Sequence, residues 1–171
     1  LARGFLHGAS DGWETVILPV YLTLGFGLSP ALVGAVMMGE QIFHGLSVAL
    51  LSKCFNFNLD SRKPLVGWSL MLLPVCLALS LPMPIHLFLP LVFLYQFVNS
   101  AYVVYSNHLK MEFSTDEKTS MDIAVYETIS NVFKPVAVFV SGILAEAMGF
   151  SWAFYFSSLL ILLSVVTCLA L

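Results

Sequence analysis

The chain has 171 residues, 59% of them hydrophobic and 10% charged, with seven Lys and Arg against ten Asp and Glu for a formal charge of −3. A soluble domain carries about 25% charged residues, so this composition excludes a fully water-exposed surface and a disordered chain. A pI near 5.7 without a basic stripe excludes a nucleic-acid binder, and a mean hydropathy of +0.93 points to a polytopic protein of the lipid bilayer.

A spanning helix needs about 20 mostly apolar residues, and the turn signals cut the chain into six such stretches. The first span is expected over 4–26, stopping at Gly25-Phe-Gly27. The second covers 30–54, opened by Ser29 as N-cap and Pro30 at the first helical position. The third and fourth, 64–81 and 85–109, are separated by Pro82-Met-Pro84. The fifth covers 119–147, capped by Thr119 or Ser120, and the sixth covers 151–171, after Met148-Gly149-Phe150. The segments lack the sustained period-two alternation of a membrane β-barrel. The fold class is therefore an all-α membrane protein, a single six-helix bundle over 1–171.

Orientation follows from Lys and Arg. Arg3, Lys53, Arg62, Lys63, Lys110 and Lys118 flank one set of loop ends, whereas the turns around Gly25, Pro82 and Gly149 hold no cation. The cationic side should be cytoplasmic, or its organellar equivalent, with both chain ends on it. The chain opens with Leu1 and carries no signal peptide, which suggests a segment of a longer protein. Cys54, Cys76 and Cys168 form no metal-ligand or CxxC spacing and read as small apolar helix residues.

Polar groups in hydrocarbon cost several kcal/mol unless partnered, so each one is informative. The first span holds His7, Asp11 and Glu14 on one face, and the second holds Glu40, Gln41 and His44. The fourth holds Gln96, Asn99 and Tyr102, and the fifth Glu127, Asn131 and Lys134. At about 1.5 Å per residue, Glu14 and Glu40 lie about 15 Å from the starts of their spans, and Asn99 and Lys134 about 20 Å from the starts of theirs. Glu14, Glu40 and Lys134 thus share one depth. A lone ammonium there would cost roughly 3 kcal/mol, so Lys134 is expected to pair with Glu14, Glu40 or Glu127. His7 and Asp11 read as solvated near the surface, and Trp13 as a cavity-lining candidate. An internal polar clasp would account for any single amide, or for His44 as a satisfied core histidine. Charges from three helices at one depth read better as a substrate or proton site made of Glu14, Glu40, Gln41, Asn99, Glu127, Asn131 and Lys134. Two rows of small residues, Gly4/Gly8/Gly12 and Ala31/Ala35/Gly39, predict close helix approach. Trp152, with Phe150, Phe154 and Tyr155, suits an interfacial aromatic belt.

Six helices with a charged loop between the second and third resemble one half of a major facilitator superfamily transporter, over essentially the whole chain. The stretch Gly142-Ile-Leu-Ala-Glu-Ala-Met-Gly-Phe-Ser-Trp-Ala-Phe154 is similar to the family's helix end, short turn and W-x-A-F start of the next helix. Leu59-Asp-Ser-Arg-Lys-Pro64 resembles the tail of its loop signature, with Asp60, Arg62 and Lys63 in the signature positions. Lys134-Pro135 and Ser141-Gly142 sit where the family has its antiporter motif. Asn56 replaces a loop glycine, Lys134 a motif glycine, and Phe93 the arginine often found in the fourth helix, while Gln96 fits the glutamine that follows it. These departures suit the C-terminal half, where the motifs are commonly degraded. Gly4-Phe-Leu-His-Gly-Ala-Ser-Asp11 looks like a first helix and suits a divergent N-terminal half.

The resemblance implies secondary transport of a small polar or anionic solute by alternating access, with possible coupling to protons. A carboxylate would carry the proton, and Lys134 would hold the solute or act as counter-ion. A half of this size cannot enclose a cavity alone, so a second six-helix half or another membrane subunit is an expected partner, beside the bilayer and a small-molecule solute. The alternative is a transporter-fold subunit with a structural or assembly role; in a pigment-related version of it, His44 would be a metal ligand. No cofactor or metal site is expected. An enzyme is not expected either, since the chain has no HExxH, CxxC, GxSxG or phosphate loop.

Overall fold

The computed structural model describes residues 2–55, 62–113 and 119–169. Among them every regular element is an α-helix: α1 (Ala2–Glu14), α2 (Ile17–Leu24), α3 (Pro30–Cys54), α4 (Arg62–Leu79), α5 (Ile85–Phe113), α6 (Thr119–Met148) and α7 (Phe150–Leu169). Four stretches, Pro30–Cys54, Ile85–Met111, Asn131–Met148 and Phe150–Leu169, are long and apolar enough to cross a bilayer, and Lys63–Leu79 is a shorter apolar helix.

The expected first span is two helices, not one. Pro19 has no N–H for the carbonyl of Thr15, and its ring crowds that carbonyl, which favours a kink or break at this point. Thr15 Oγ1 instead donates to the Asp11 carbonyl at 2.7 Å, a back-bond that bends helices. Val16 leaves helical geometry at φ −121°, and α2 restarts at Ile17. The break follows directly on Glu14, so a polar residue stands at the end of a half-helix rather than inside a continuous one.

Other boundaries follow local chemistry. Ser29 caps α3 by accepting from the Leu32 N–H at 3.4 Å, and Pro30 occupies the first turn, as its spacing predicts. The α6–α7 turn is a single residue, Gly149, at φ +97°, where a side chain would be strained. Pro74, Pro90 and Pro135 lie inside α4, α5 and α6.

Packing runs in sequence around the bundle: α3 on α5, α5 on α4, α4 on α7, and α7 on α1 and α6. The row Gly4, Gly8 and Gly12 lays α1 directly on α6, against Phe133, Ala137 and Ser141 in turn, so the two helices run parallel. A Cβ on Gly12 would sit 2.8 Å from Ser141 Oγ, and one on Gly4 2.6 Å from the Phe133 ring. The second small-residue row does not pack this way, because Ala31 and Ala35 are exposed.

Trp13 is 0% exposed and lines no cavity, contrary to expectation. Its ring meets Tyr95 edge-on at 5.0 Å and Phe154 at 5.3 Å, joining α1, α5 and α7. Tyr21, Phe26, Phe88 and Phe150 extend this aromatic core. Of the expected interfacial aromatics, Trp152 and Tyr155 do face outward and Phe154 is buried. Large apolar side chains also stay exposed along α3 and α6, including Met38, Leu46, Val132 and Phe139. In water this surface would be untenable; against lipid or another helix bundle it is not.

Candidate functional site

At the end of α1 and halfway along α3, α5 and α6 their polar faces meet around a cavity of about 310 Å³. The helix α1 contributes Asp11 and Glu14, α3 contributes Gln41 and His44, and α5 contributes Gln96 and Asn99. Lys134 enters from α6. The volume lies at the small end of the range for small-molecule pockets.

Most of these polar groups have an identifiable partner. Gln41 Nε2 donates to Glu14 Oε1 at 2.7 Å, joining α3 to α1. Gln96 Nε2 donates to Glu40 Oε1, joining α5 to α3. Glu40 is 0% exposed and stands behind the cavity wall. Its second oxygen has no hydrogen-bond donor among the described residues, and Glu14 is its charged neighbour. Ser100 Oγ donates to the Gln96 carbonyl at 2.7 Å and lies 2.9 Å from His44 Nδ1. Ser10 and Tyr95 hydroxyls share a bond of 3.1 Å just inside the core.

Lys134 is paired with Asp11 Oδ2 at 3.0 Å, not with Glu14, Glu40 or Glu127. The reason is register. Phe133, beside Gly4, is fourteen residues past the start of α6, whereas Gly4 is two past the start of α1. The helix starts thus differ in level by about 18 Å, and depth counted from each start puts Lys134 too deep. Its backbone sits beside the first turns of α1, and its long stem reaches forward to Asp11. Asp11 is consequently a wall residue of the cavity, not a solvated surface group.

The expected site residues therefore divide. Glu14, Gln41, Asn99 and Lys134 come together on one cavity, with Glu40 held just behind it. Glu127 does not join them; it forms an ion pair with Lys110 of α5. Asn131 is exposed and lines no part of the cavity. Asp60 lies outside the described residues, as does the side chain of Arg62, while Lys63 is exposed in the first turn of α4. The cavity adds residues that sequence reasoning set aside as clasp, core or surface: His7, Asp11, Gln96 and His44. The glycine row signalled a close approach of α1, but only the structure shows the register of Gly8 on Ala137 that brings the Asp11 side of α1 within reach of Lys134. Among the described residues no three His, Cys, Asp or Glu side chains converge as a metal site.

A bundle with apolar outer faces and a polar cavity between its helices defines an integral, multi-pass membrane protein. The sequence profile of the Major Facilitator Superfamily matches residues 4–171, and the chain belongs to that family of membrane transporters. Comparison with curated proteins and with solved structures returns no match.

Proposed function

We propose that the cavity is the solute site of a secondary transporter of the facilitator type, which moves a small polar solute by alternating access. The observation that supports this most is the convergence of Asp11, Glu14, Gln41, Asn99 and Lys134, from four helices, on one cavity. A clasp that only fixes packing needs no such space, since interhelical hydrogen bonds close best when nothing separates them. In this reading Glu14 and Glu40 form the proton-handling pair. A proton held between them would supply the donor that the second Glu40 oxygen lacks. Asp11 and Lys134 form a counter-ion pair that solute can open. Six spans, both ends on the cytoplasmic side and a second six-helix half facing the cavity belong to the same proposal. The broken α1–α2 helix fits it too, since discontinuous helices are a common way to build such sites.

The test is solute uptake into proteoliposomes, measured with labelled small polar solutes beside the thermal midpoint of the protein. Glu14→Gln keeps side-chain size and hydrogen-bond capacity toward Gln41 but cannot exchange a proton. It is expected to lose concentrative uptake while its midpoint stays within a few degrees of the unmutated protein. Normal concentrative uptake in Glu14→Gln would refute the proton role. Absence of any uptake by the unmutated protein would end the transport reading and leave the structural-subunit role.

A further inference from the structure

We infer that the cavity takes a small organic cation, an amine or quaternary ammonium, rather than an anion; this names the solute class for the site proposed above. An anion would need a free positive charge. Among the described residues Lys134 is the only Lys or Arg on the cavity wall, which His7 and His44 also line, and Asp11 already holds it at 3.0 Å. An anion must therefore displace Asp11 and leave that carboxylate facing it, whereas a cation can take Asp11 from Lys134 or go to Glu14 directly.

The remaining charges all favour the cation. Glu14 on the wall and Glu40 behind it each accept from an amide, Gln41 and Gln96, which donate hydrogen bonds but cancel no charge. Two carboxyl groups on the wall and a third behind it thus outnumber one ammonium. With His7 and His44 neutral, one proton shared between Glu14 and Glu40 still leaves the site a net negative charge. His44, with Nδ1 2.9 Å from Ser100 Oγ, carries one acceptor nitrogen in its neutral form. The walls around these groups are apolar helices, and a cleft of one sign between low-dielectric walls concentrates ions of the opposite sign.

The probes are two thiol reagents of opposite charge, aminoethyl and sulfonatoethyl methanethiosulfonate, applied to Val103→Cys. Val103 lines the cavity, is half-buried and makes none of the polar contacts above. Cys54 and Cys168 are first replaced by Ser, and buried Cys76 is retained. The ratio of cationic to anionic labelling rate is expected to exceed the ratio on free mercaptoethanol by roughly tenfold. Lys134→Met should raise it further, and Glu14→Gln should lower it. A ratio at or below that of the free thiol overturns the inference, as does a ratio that neither charge variant moves. Asn99→Cys provides a second position, and failure of both reagents at both positions overturns it as well, since the cavity would then be closed to water. The readout needs no transport, so absent uptake with an elevated ratio would remove the transport reading and leave the cation preference standing.

Discussion

At the residue scale, the site depends on amide–carboxyl pairs more than on ion pairs. The Asp11–Lys134 pair is 22% and 37% exposed, and pairs that wet contribute little stability. The Gln96–Glu40 pair is fully inside, where an unmade hydrogen bond costs about 1–3 kcal/mol. Gln96→Leu should therefore lower stability by about that amount, because it strands a buried carboxyl. Lys134→Met should cost less than that, since the Asp11 side chain is 22% exposed although Oδ2 itself is buried. Thermal or denaturant midpoints in detergent check both, and a larger loss for Lys134→Met than for Gln96→Leu would contradict this ranking. Most of these residues were legible as polar exceptions in apolar spans. Their pairing was not, because partner choice depends on the relative level of helices, which no single span records. Glu127 shows the same limit: its spacing places it on one face with Lys134, yet Lys110 of α5 is the neighbour that tertiary packing supplies.

At the element scale, two features set the position of α1. The glycine row fixes how closely it lies on α6, and Pro19 fixes where it ends. Gly12→Ala introduces a Cβ 2.8 Å from Ser141 Oγ. Overpacking of this kind costs about 1–3 kcal/mol, and removing the opposing hydroxymethyl in Gly12→Ala/Ser141→Gly should recover most of the loss. Equal stability of the single and double variants would mean that α1 and α6 do not share this contact. Pro19→Ala restores an N–H for the Thr15 carbonyl, so α1 and α2 can fuse into one helix. Continuous helix turns Glu14 relative to Gln41, and uptake should fall while the midpoint holds or rises. The helices were legible because hydropathy and turn residues mark them, and Ser29-Pro30 marks the start of α3 to the residue. A hydropathy count runs straight through Pro19, however, because a proline costs backbone geometry rather than apolarity. The exposed Ala31/Ala35 row shows a related limit: small-residue spacing signals that a close approach is possible, not which helix makes it.

At the scale of the whole molecule, the topology and the site must agree. The six-span arrangement proposed above would put the α3 end and the α4 end on opposite faces of the membrane. An impermeant maleimide should therefore modify exposed Cys54 from one face and Leu81→Cys from the other. Labelling of both from one face would contradict the six-span arrangement. The central claim is that the cavity faces each side of the membrane in turn. Its most direct measurement is the labelling of Asn99→Cys, a wall residue in the middle of α5, by an impermeant thiol reagent. Right-side-out and inside-out vesicles should both be labelled, with solute shifting the balance between them. Labelling from one face only, whatever the solute or the proton gradient, would contradict alternating access and make the cavity a static feature of a subunit.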